Sequence, residues 1–327
     1  MWKKIFILFS IIQLSVLPGE EVARKVQFPV MGTVAAFDFT GEAEDMPELF
    51  AAGKSCFEKV TAIANLHKGD SELSRLNATA DQKPFICSPE LYRLLQDARR
   101  AWIDSNGAFD ISAKPLMDLW GFYRKHRRSL PQAEDIAGIL RKVGLEKVKF
   151  NDELRSVYFT VKGMQLDLGG IAKGYAVDRA AESVQKKLSR GIIDLGGNLR
   201  LFDHSCRSHR VGIRDPLDGG RLAGVITVGN GAVSTSGGYE KFVTYNNKRY
   251  CHIIDPASGL PAEKFLSVTA VTANAVDADW MSTAVFVRGA VLAQNLIKKY
   301  PGTEFYIYKE SEKLPGWELI HVKQPYF

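Results

Sequence analysis

Apolar residues recur at helical spacing between Met46 and Leu66, at Leu49, Phe50, Cys56, Phe57, Val60 and Ile63, so this stretch predicts an amphipathic helix. A second helix is predicted from Ser88-Pro89 to about Asp104, with Ser as the cap and Pro in the first turn. A third starts near Pro131 after Ser129 and stops at Gly144. Ile171 to Leu188 forms a fourth, ending before Gly191, and Ala275 to Tyr300 reads as one or two helices broken at Gly289. Elsewhere the period changes to that of strands. VQFPVMGTVAAFDF (Val26 to Phe39) predicts a strand bent at Gly32, and Val148 to Asp167 predicts two strands around a turn at Asn151 to Arg155. Ile192 to Phe202, Glu304 to Tyr308 and Glu318 to Val322 are further strand candidates. Val211 to Val271 reads as short strands, with Tyr245-Asn246-Asn247-Lys248 as a hairpin tip. Helices concentrate in the N-terminal half and strands follow, which predicts an α+β fold with an antiparallel-sheet-rich core. No low-complexity linker divides the chain.

The N-terminus departs from this pattern. MWKKIFILFSIIQLSVLP places Lys3 and Lys4 ahead of an apolar run shorter than the roughly twenty residues a spanning helix needs. It predicts a secretory signal over residues 1–19, with the remaining 20–327 working outside the cytoplasm. The alternative is an uncleaved anchor that keeps the domain at the inner membrane, facing the periplasm. No cysteine stands where a lipoprotein would be acylated.

Charge alters this picture little. The net charge of +6 falls to +4 without Lys3 and Lys4, and the basic residues are scattered except for a knot at Arg124 to Arg128. No aromatic-interleaved or helix-turn-helix pattern accompanies that knot, so it predicts a solvated loop and no nucleic-acid partner. Cys56, Cys87, Cys206 and Cys251 lack C-x-x-C spacing. In an oxidising compartment they allow one or two disulfides of unassigned pairing.

Several segments carry candidate chemistry. MQLDLGGIAKGYAVD feeds a glycine turn into a helix with Lys173 in its first turn. Backbone N–H groups, the positive helix end and the ammonium suit a phosphate there, although two glycines also serve a tight strand-to-helix turn. A second Asp-Leu-Gly-Gly, Asp194 to Gly197, lacks the lysine and reads mainly as packing. Ser234 to Tyr239 (STSGGY) clusters hydroxyls and glycines in a form fit for an anion or an ordinary turn. His252 and Asp255 lie three apart at a strand exit, where His252 could serve as a general base or as a hydrogen-bonding core residue. Cys251 beside it points to the opposite face. Asp279 and Thr283, four apart on a helix, share a face that suits a hard cation such as magnesium, while an aspartate in a first helical turn also needs no ligand to explain it.

In this order, Met31-Gly32-Thr33, Asp70 to Asn77 (DSELSRLN), Gly107-Ala108-Phe109-Asp110, Leu119-Trp120-Gly121, LDLGGIAKGYAVD, IDLGGN, VSTSGGYEKF, HIIDPASGLP and ADWMST resemble the ApbE family of flavin transferases. The resemblance spans nearly all of residues 20–327 and implies a T-fold-like α+β domain. It implies a magnesium-dependent transfer of FMN from FAD, as substrate, to a Thr or Ser hydroxyl through a phosphoester, releasing AMP. The acceptors it implies are exported or membrane subunits of respiratory redox complexes of the NADH:quinone reductase or electron-bifurcating type. Hydrolysis of FAD to FMN and AMP, or flavin binding without turnover, are the alternatives. Carried over by motif, the metal ligands are Asp279, Thr283 and the carbonyl of Gly170. The FAD contacts are Met31, Ala108, Phe109, Asp110, Asp167, Lys173, His252 and Ile253. That reaction needs pyrophosphate charge neutralised and a hydroxyl proton removed; Lys173 is the candidate for the first task and His252 for the second, with Asp255 as the candidate to orient it. The flavin is cargo, so no hydride transfer is implied. One departure stands out: where the family commonly has a tyrosine three residues ahead of the Asp-x-x-x-Ser segment, this chain has His67, a difference that bears on ring stacking at that point and on the balance between transfer and hydrolysis.

Overall fold

In the computed structural model, which describes residues 19–123, 129–311 and 315–325, eight strands form one fully antiparallel sheet. Their spatial order is their chain order: Glu21–Val30, Thr33–Glu42, Leu188–Leu195, Asn198–Asp203, Gly231–Gly237, Ser267–Thr272, Glu304–Glu310 and Trp317–Val322. Every other feature is an insertion between neighbouring strands. The expected signal segment, residues 1–18 of the predicted 1–19, and the basic knot lie outside the described residues. Among those described, no helix is long and apolar enough to cross a membrane.

Two expected strands are in fact hairpins. Val26 to Phe39 is not one bent strand, because the chain reverses at Met31-Gly32, both at positive φ (50° and 72°), and Val30 pairs with Thr33. Ile192 to Phe202 reverses likewise at Gly196-Gly197 (60° and 90°), with Leu195 paired to Asn198. Two consecutive positive φ values are the signature of the tight hairpin turn whose twist matches its strands. The same device closes the expected tip at Asn246-Asn247 (48° and 61°) between Phe242–Tyr245 and Lys248–Cys251.

One face of the sheet carries the main core. Ala35, Phe37 and Phe39 alternate inward and are fully buried. Phe37 stacks on Phe39 at 5.1 Å and tilts against Phe57 of the helix Met46–Ala64 at 5.4 Å. Each such phenylalanine contributes about 1.5–3 kcal/mol of burial. The helices Ala172–Val184 and Ala275–Arg288 cover the same face, the second breaking at Gly289 (φ 74°) before Ala290–Lys299. Against the opposite face packs a separate hairpin, His209–Arg214 with Leu222–Val228, through Ile213, Ile226 and Val228 onto Leu201, Val233 and Tyr308.

A third, smaller core joins the segment around Leu116, Trp120 and Ile136 to the hairpin Phe242–Cys251. Trp120 Nε1 donates to the Gly259 carbonyl at 2.8 Å, and the Tyr245 hydroxyl donates to the Trp120 carbonyl at 2.9 Å. The Leu-Trp-Gly motif therefore clamps the loop that follows His252. Helix Pro89–Asp104 starts as expected, with Ser88 Oγ accepting from Leu91 N–H at 3.2 Å. The pattern did not announce the helix Glu72–Thr79, capped by Ser71, or the short helix Lys114–Leu119. Both fall below the ten or so residues at which periodicity becomes readable. All four cysteines are free thiols. Burial pushes those of Cys87 and Cys251 up to about 12 and 11, which leaves neither a nucleophile at neutral pH.

Candidate active site

The site forms where two helices cross. The turn Leu168-Gly169-Gly170-Ile171 closes through the Ala172 N–H to the Leu168 carbonyl at 2.8 Å and launches the helix Ala172–Val184, with Lys173 in its first turn. One residue on, Gly174 lets the helix Ala275–Arg288 approach closely. A Cβ there would lie 2.2 Å from the Ala275 carbonyl oxygen and 2.8 Å from Asp279 Cβ. Across this contact the Gly174 N–H donates to Asp279 Oδ2 at 2.9 Å. Asp279 is 4% exposed, and burial raises its carboxyl pKa against the opposing pull of Lys173 and the Gly174 N–H.

The second helix is fixed at its own start. Asn274 Oδ1 accepts from Asp277 N–H at 2.9 Å, and the Asp178 carboxylate accepts from the N–H groups of Ala275 and Val276 at 2.8 and 2.7 Å. Asp277 is in turn held by Arg100 at 2.8 Å and by Trp280 Nε1 at 2.9 Å. The terminal N–H groups are thereby satisfied by protein groups. Asp279, about one turn into the helix, is left facing the sheet.

From the sheet comes a residue that spacing alone did not single out. The hairpin turn Gly196-Gly197, closed by Gly197 N–H to Asp194 Oδ1 at 2.8 Å, delivers Asn198 into the core with 2% exposure. The donors and acceptors around its amide fix its orientation. The carbonyl oxygen accepts from Lys173 Nζ at 2.7 Å, while the nitrogen donates to Asp279 Oδ1 at 3.0 Å and to Ser234 Oγ at 2.8 Å. Next on the sheet, Ser236 Oγ lies 2.9 Å from Ser282 Oγ and 3.0 Å from Thr283 Oγ1. The turn Met31-Gly32 lies beside this group, since a Cβ on Gly196 would sit 2.6 Å from Thr33 Oγ1. Both Asp-Leu-Gly-Gly copies and the Met31 turn thus meet at one end of the sheet.

The other expected site residues take varied places. Ala108 and Phe109 are buried, and the Phe109 ring underlies Gly170, which also faces Thr283. The Asp110 carboxylate accepts from the N–H groups of Ser112 and Leu145 at 2.8 and 3.1 Å, so it joins two segments and its pKa is raised by burial. Asp167 accepts from Gly169 N–H at 2.8 Å and from the Tyr123 hydroxyl at 2.5 Å. Tyr123 stands edge-on to His67 at 5.6 Å. Ile253 is buried, and its carbonyl accepts from Ala262 N–H at 2.8 Å. His252 is half-buried with Nδ1 enclosed and unpartnered. Burial, with Lys241 and Lys173 nearby, lowers its pKa to about 4.

The expected pairing of Asp255 with His252 is corrected. Asp255 Oδ2 accepts from Arg288 Nη1 at 2.8 Å and Oδ1 from Ala257 N–H at 3.0 Å, so both oxygens serve the turn and the helix end. Only two residues separate them in sequence, but the tight turn that begins at Asp255 engages its carboxylate with Ala257 and Arg288 instead.

The donor set fits magnesium. Among the described residues no group of three or more His, Cys, Asp or Glu could hold a metal. One buried carboxylate, Asp279, stands with the Thr283 hydroxyl and the adjoining Gly170 backbone, a set of oxygen donors only. Magnesium takes such partial sets and completes its octahedron with water and substrate phosphate.

Residues 31–307 match the model of the ApbE family. An "FAD:protein FMN transferase" of Klebsiella pneumoniae (strain 342) is 33% identical over 232 residues, covering 69% of this chain and 71% of that protein. A protein of the same name from Treponema pallidum (strain Nichols) is 34% identical over 262 residues, 74% and 72% of the two chains. The crystal structure of the ApbE protein of Thermotoga maritima superposes with a TM-score of 0.81 at 27% identity, over 91% of this chain and 97% of that one. Sequence and fold agree: the chain belongs to the ApbE family.

Proposed function

We propose that this protein transfers the FMN half of FAD to a hydroxyl of an acceptor protein. The observation that carries this reading is the meeting of Lys173, Asn198 and Asp279 at the Leu168-Gly169-Gly170-Ile171 turn, which joins an ammonium and a buried carboxylate through one amide. A pyrophosphate needs cations, and a buried carboxylate beside it makes sense when it holds one. Magnesium would be held by Asp279, Thr283 and the carbonyl of Gly170. When bound it supplies charge neutralisation on the phosphate oxygens.

The rest of the chemistry belongs to the chain. An acceptor hydroxyl oxygen bonds to the FMN-side phosphorus, the bond from that phosphorus to the bridging oxygen breaks, and AMP leaves with the bridging oxygen. Lys173 binds the phosphates and spreads the charge that builds on them. His252 is uncharged at neutral pH and receives the hydroxyl proton at Nε2, because Nδ1 is enclosed. Met31, at the neighbouring turn, and the Tyr123–Asp167 pair flank the phosphate turn and position the flavin portion.

The acceptor we propose is a Thr or Ser of an exported or periplasm-facing subunit of a respiratory flavoprotein. The short apolar run after Lys3 and Lys4 supports work on that side of the inner membrane. Incubation with FAD, magnesium and an acceptor domain should yield one AMP per covalently bound FMN, detected by mass spectrometry. Asp279→Asn should lower the rate more than a hundredfold. AMP with free FMN and no acceptor labelling would instead mark a pyrophosphatase, and intact FAD would mark a binding protein.

A further inference from the structure

Asn198 joins the two charged groups of the site while carrying no charge itself. Lys173 Nζ reaches its carbonyl oxygen at 2.7 Å and Asp279 Oδ1 accepts from its nitrogen at 3.0 Å, so the ammonium and the carboxylate meet through an amide rather than directly. Ser234 Oγ takes the second N–H at 2.8 Å, and reversing the amide would forfeit the bonds to Lys173 and Asp279, leaving only the Ser234 hydroxyl, which would then donate. The side chain is buried, and its position follows from the tight Gly196-Gly197 turn, which pairs Asn198 with Leu195 at the start of its strand.

The physical consequence concerns what the two charges would do without it. A buried ammonium and carboxylate attract steeply as the local dielectric falls, and they gain most by direct contact. Such a contact would consume the Asp279 lone pairs that a cation requires and the Lys173 protons that a phosphate requires. Asparagine prevents this by presenting an acceptor to the lysine and donors to the aspartate from a single carbon. The Gly174 N–H holds the other carboxylate oxygen at 2.9 Å, so Asp279 is fixed from two sides with lone pairs still free.

The geometry points to Asn198 as a positioning residue that keeps Lys173 and Asp279 apart, one for phosphate and one for a divalent cation. The division of labour rests on the FMN-transfer reading above, whereas the separation itself is a property of the metal-free protein. Partners that orient a ligating carboxylate typically change metal affinity or activity 10–100-fold when removed.

The test uses Asn198→Ala and Asn198→Ser in the full chain, the serine variant serving where alanine weakens folding. Two readouts need no turnover: crystal structures of the metal-free variants, and calorimetric titration of wild type and variants with Mn²⁺ in the absence of FAD. The expected result is Lys173 Nζ moved to within about 4 Å of the Asp279 carboxylate, a direct ion pair, and a Kd for Mn²⁺ raised roughly 10–100-fold. In the flavin-transfer assay the magnesium requirement should rise by the same factor, with the KM for the acceptor unchanged. Variants that only melt earlier, keep the lysine in place and bind Mn²⁺ like wild type would overturn the inference, as would a wild type that binds no Mn²⁺. A wild type that releases no AMP from FAD would overturn the transfer reading alone, because the lysine position and the Mn²⁺ affinity still decide the role of Asn198.

Discussion

Gly174 and Asp279 are bonded across the crossing of two helices 105 residues apart, backbone N–H to carboxylate oxygen at 2.9 Å. The contact exists only because position 174 has no side chain. Gly174→Ala should place a methyl group against the Ala275 carbonyl at 2.2 Å, a backbone atom that cannot move alone. Overpacking of this kind costs about 1–3 kcal/mol. For a chain of this size the melting temperature should fall by several degrees, roughly 2–4 °C per kcal/mol. Thermal unfolding read with and without Mg²⁺ checks this, and the stabilisation by Mg²⁺ should shrink in the variant because the Asp279 carboxylate is displaced.

His252 makes stability depend on pH in a definite direction. Its pKa is about 4 in the folded protein against an ordinary 6.5, chiefly through burial, so the unfolded chain binds the proton more readily. Stability should therefore be lost as pH falls through 6.5 towards 4, by roughly 2 kcal/mol between pH 7 and pH 5. Urea unfolding at the two pH values should show this drop in the wild type and its loss in His252→Gln. The acid limb of kcat/KM should likewise lie near pH 4 to 5 rather than near 6.5. A limb at 6.5 that vanishes in the glutamine variant would show the imidazole to be solvated.

Asp255 provides the contrasting case. Its carboxylate faces Arg288 and the Ala257 N–H, so Asp255→Asn removes one partly exposed ion pair and keeps the turn. Such pairs contribute about 0–1 kcal/mol. The variant should lose no more than that, and the pH profile of flavin transfer should not move. A shift of the acid limb, or a hundredfold loss of kcat, would restore Asp255 as the partner of His252.

How far the site could be read from the chain differs residue by residue. Asp279 and Thr283 share a helical face because the helical repeat puts them there, and that inference needs nothing beyond the helix. Lys173 in a first helical turn after two glycines is equally local. Asn198 was visible inside IDLGGN, yet nothing local marks it, since its three partners come from residues 173, 234 and 279. Asp255 failed for the opposite reason: proximity to His252 in the chain suggested a pairing that the Asp255–Leu260 turn undoes. The strands showed the same limit. Val26 to Phe39 has continuous strand character, and a methionine before a glycine is a weak turn signal beside the Asn246-Asn247 pair, so its reversal at Met31 became visible only once Val30 was seen paired with Thr33.

The doubled Asp-Leu-Gly-Gly shows the division most plainly. By itself the sequence determined the longer helices, the Ser88 cap of one of them, the α+β class, the glycine-rich turn before Lys173 and the carboxylate and hydroxyl four residues apart, set largely by contacts within a few residues. The tertiary structure alone decided that the second copy is a hairpin turn, that this turn delivers Asn198 between Lys173 and Asp279, and that Gly174 brings the two helices together. Those are relations across the sheet and between helices, where burial and steric fit select one arrangement from many that the local pattern allows.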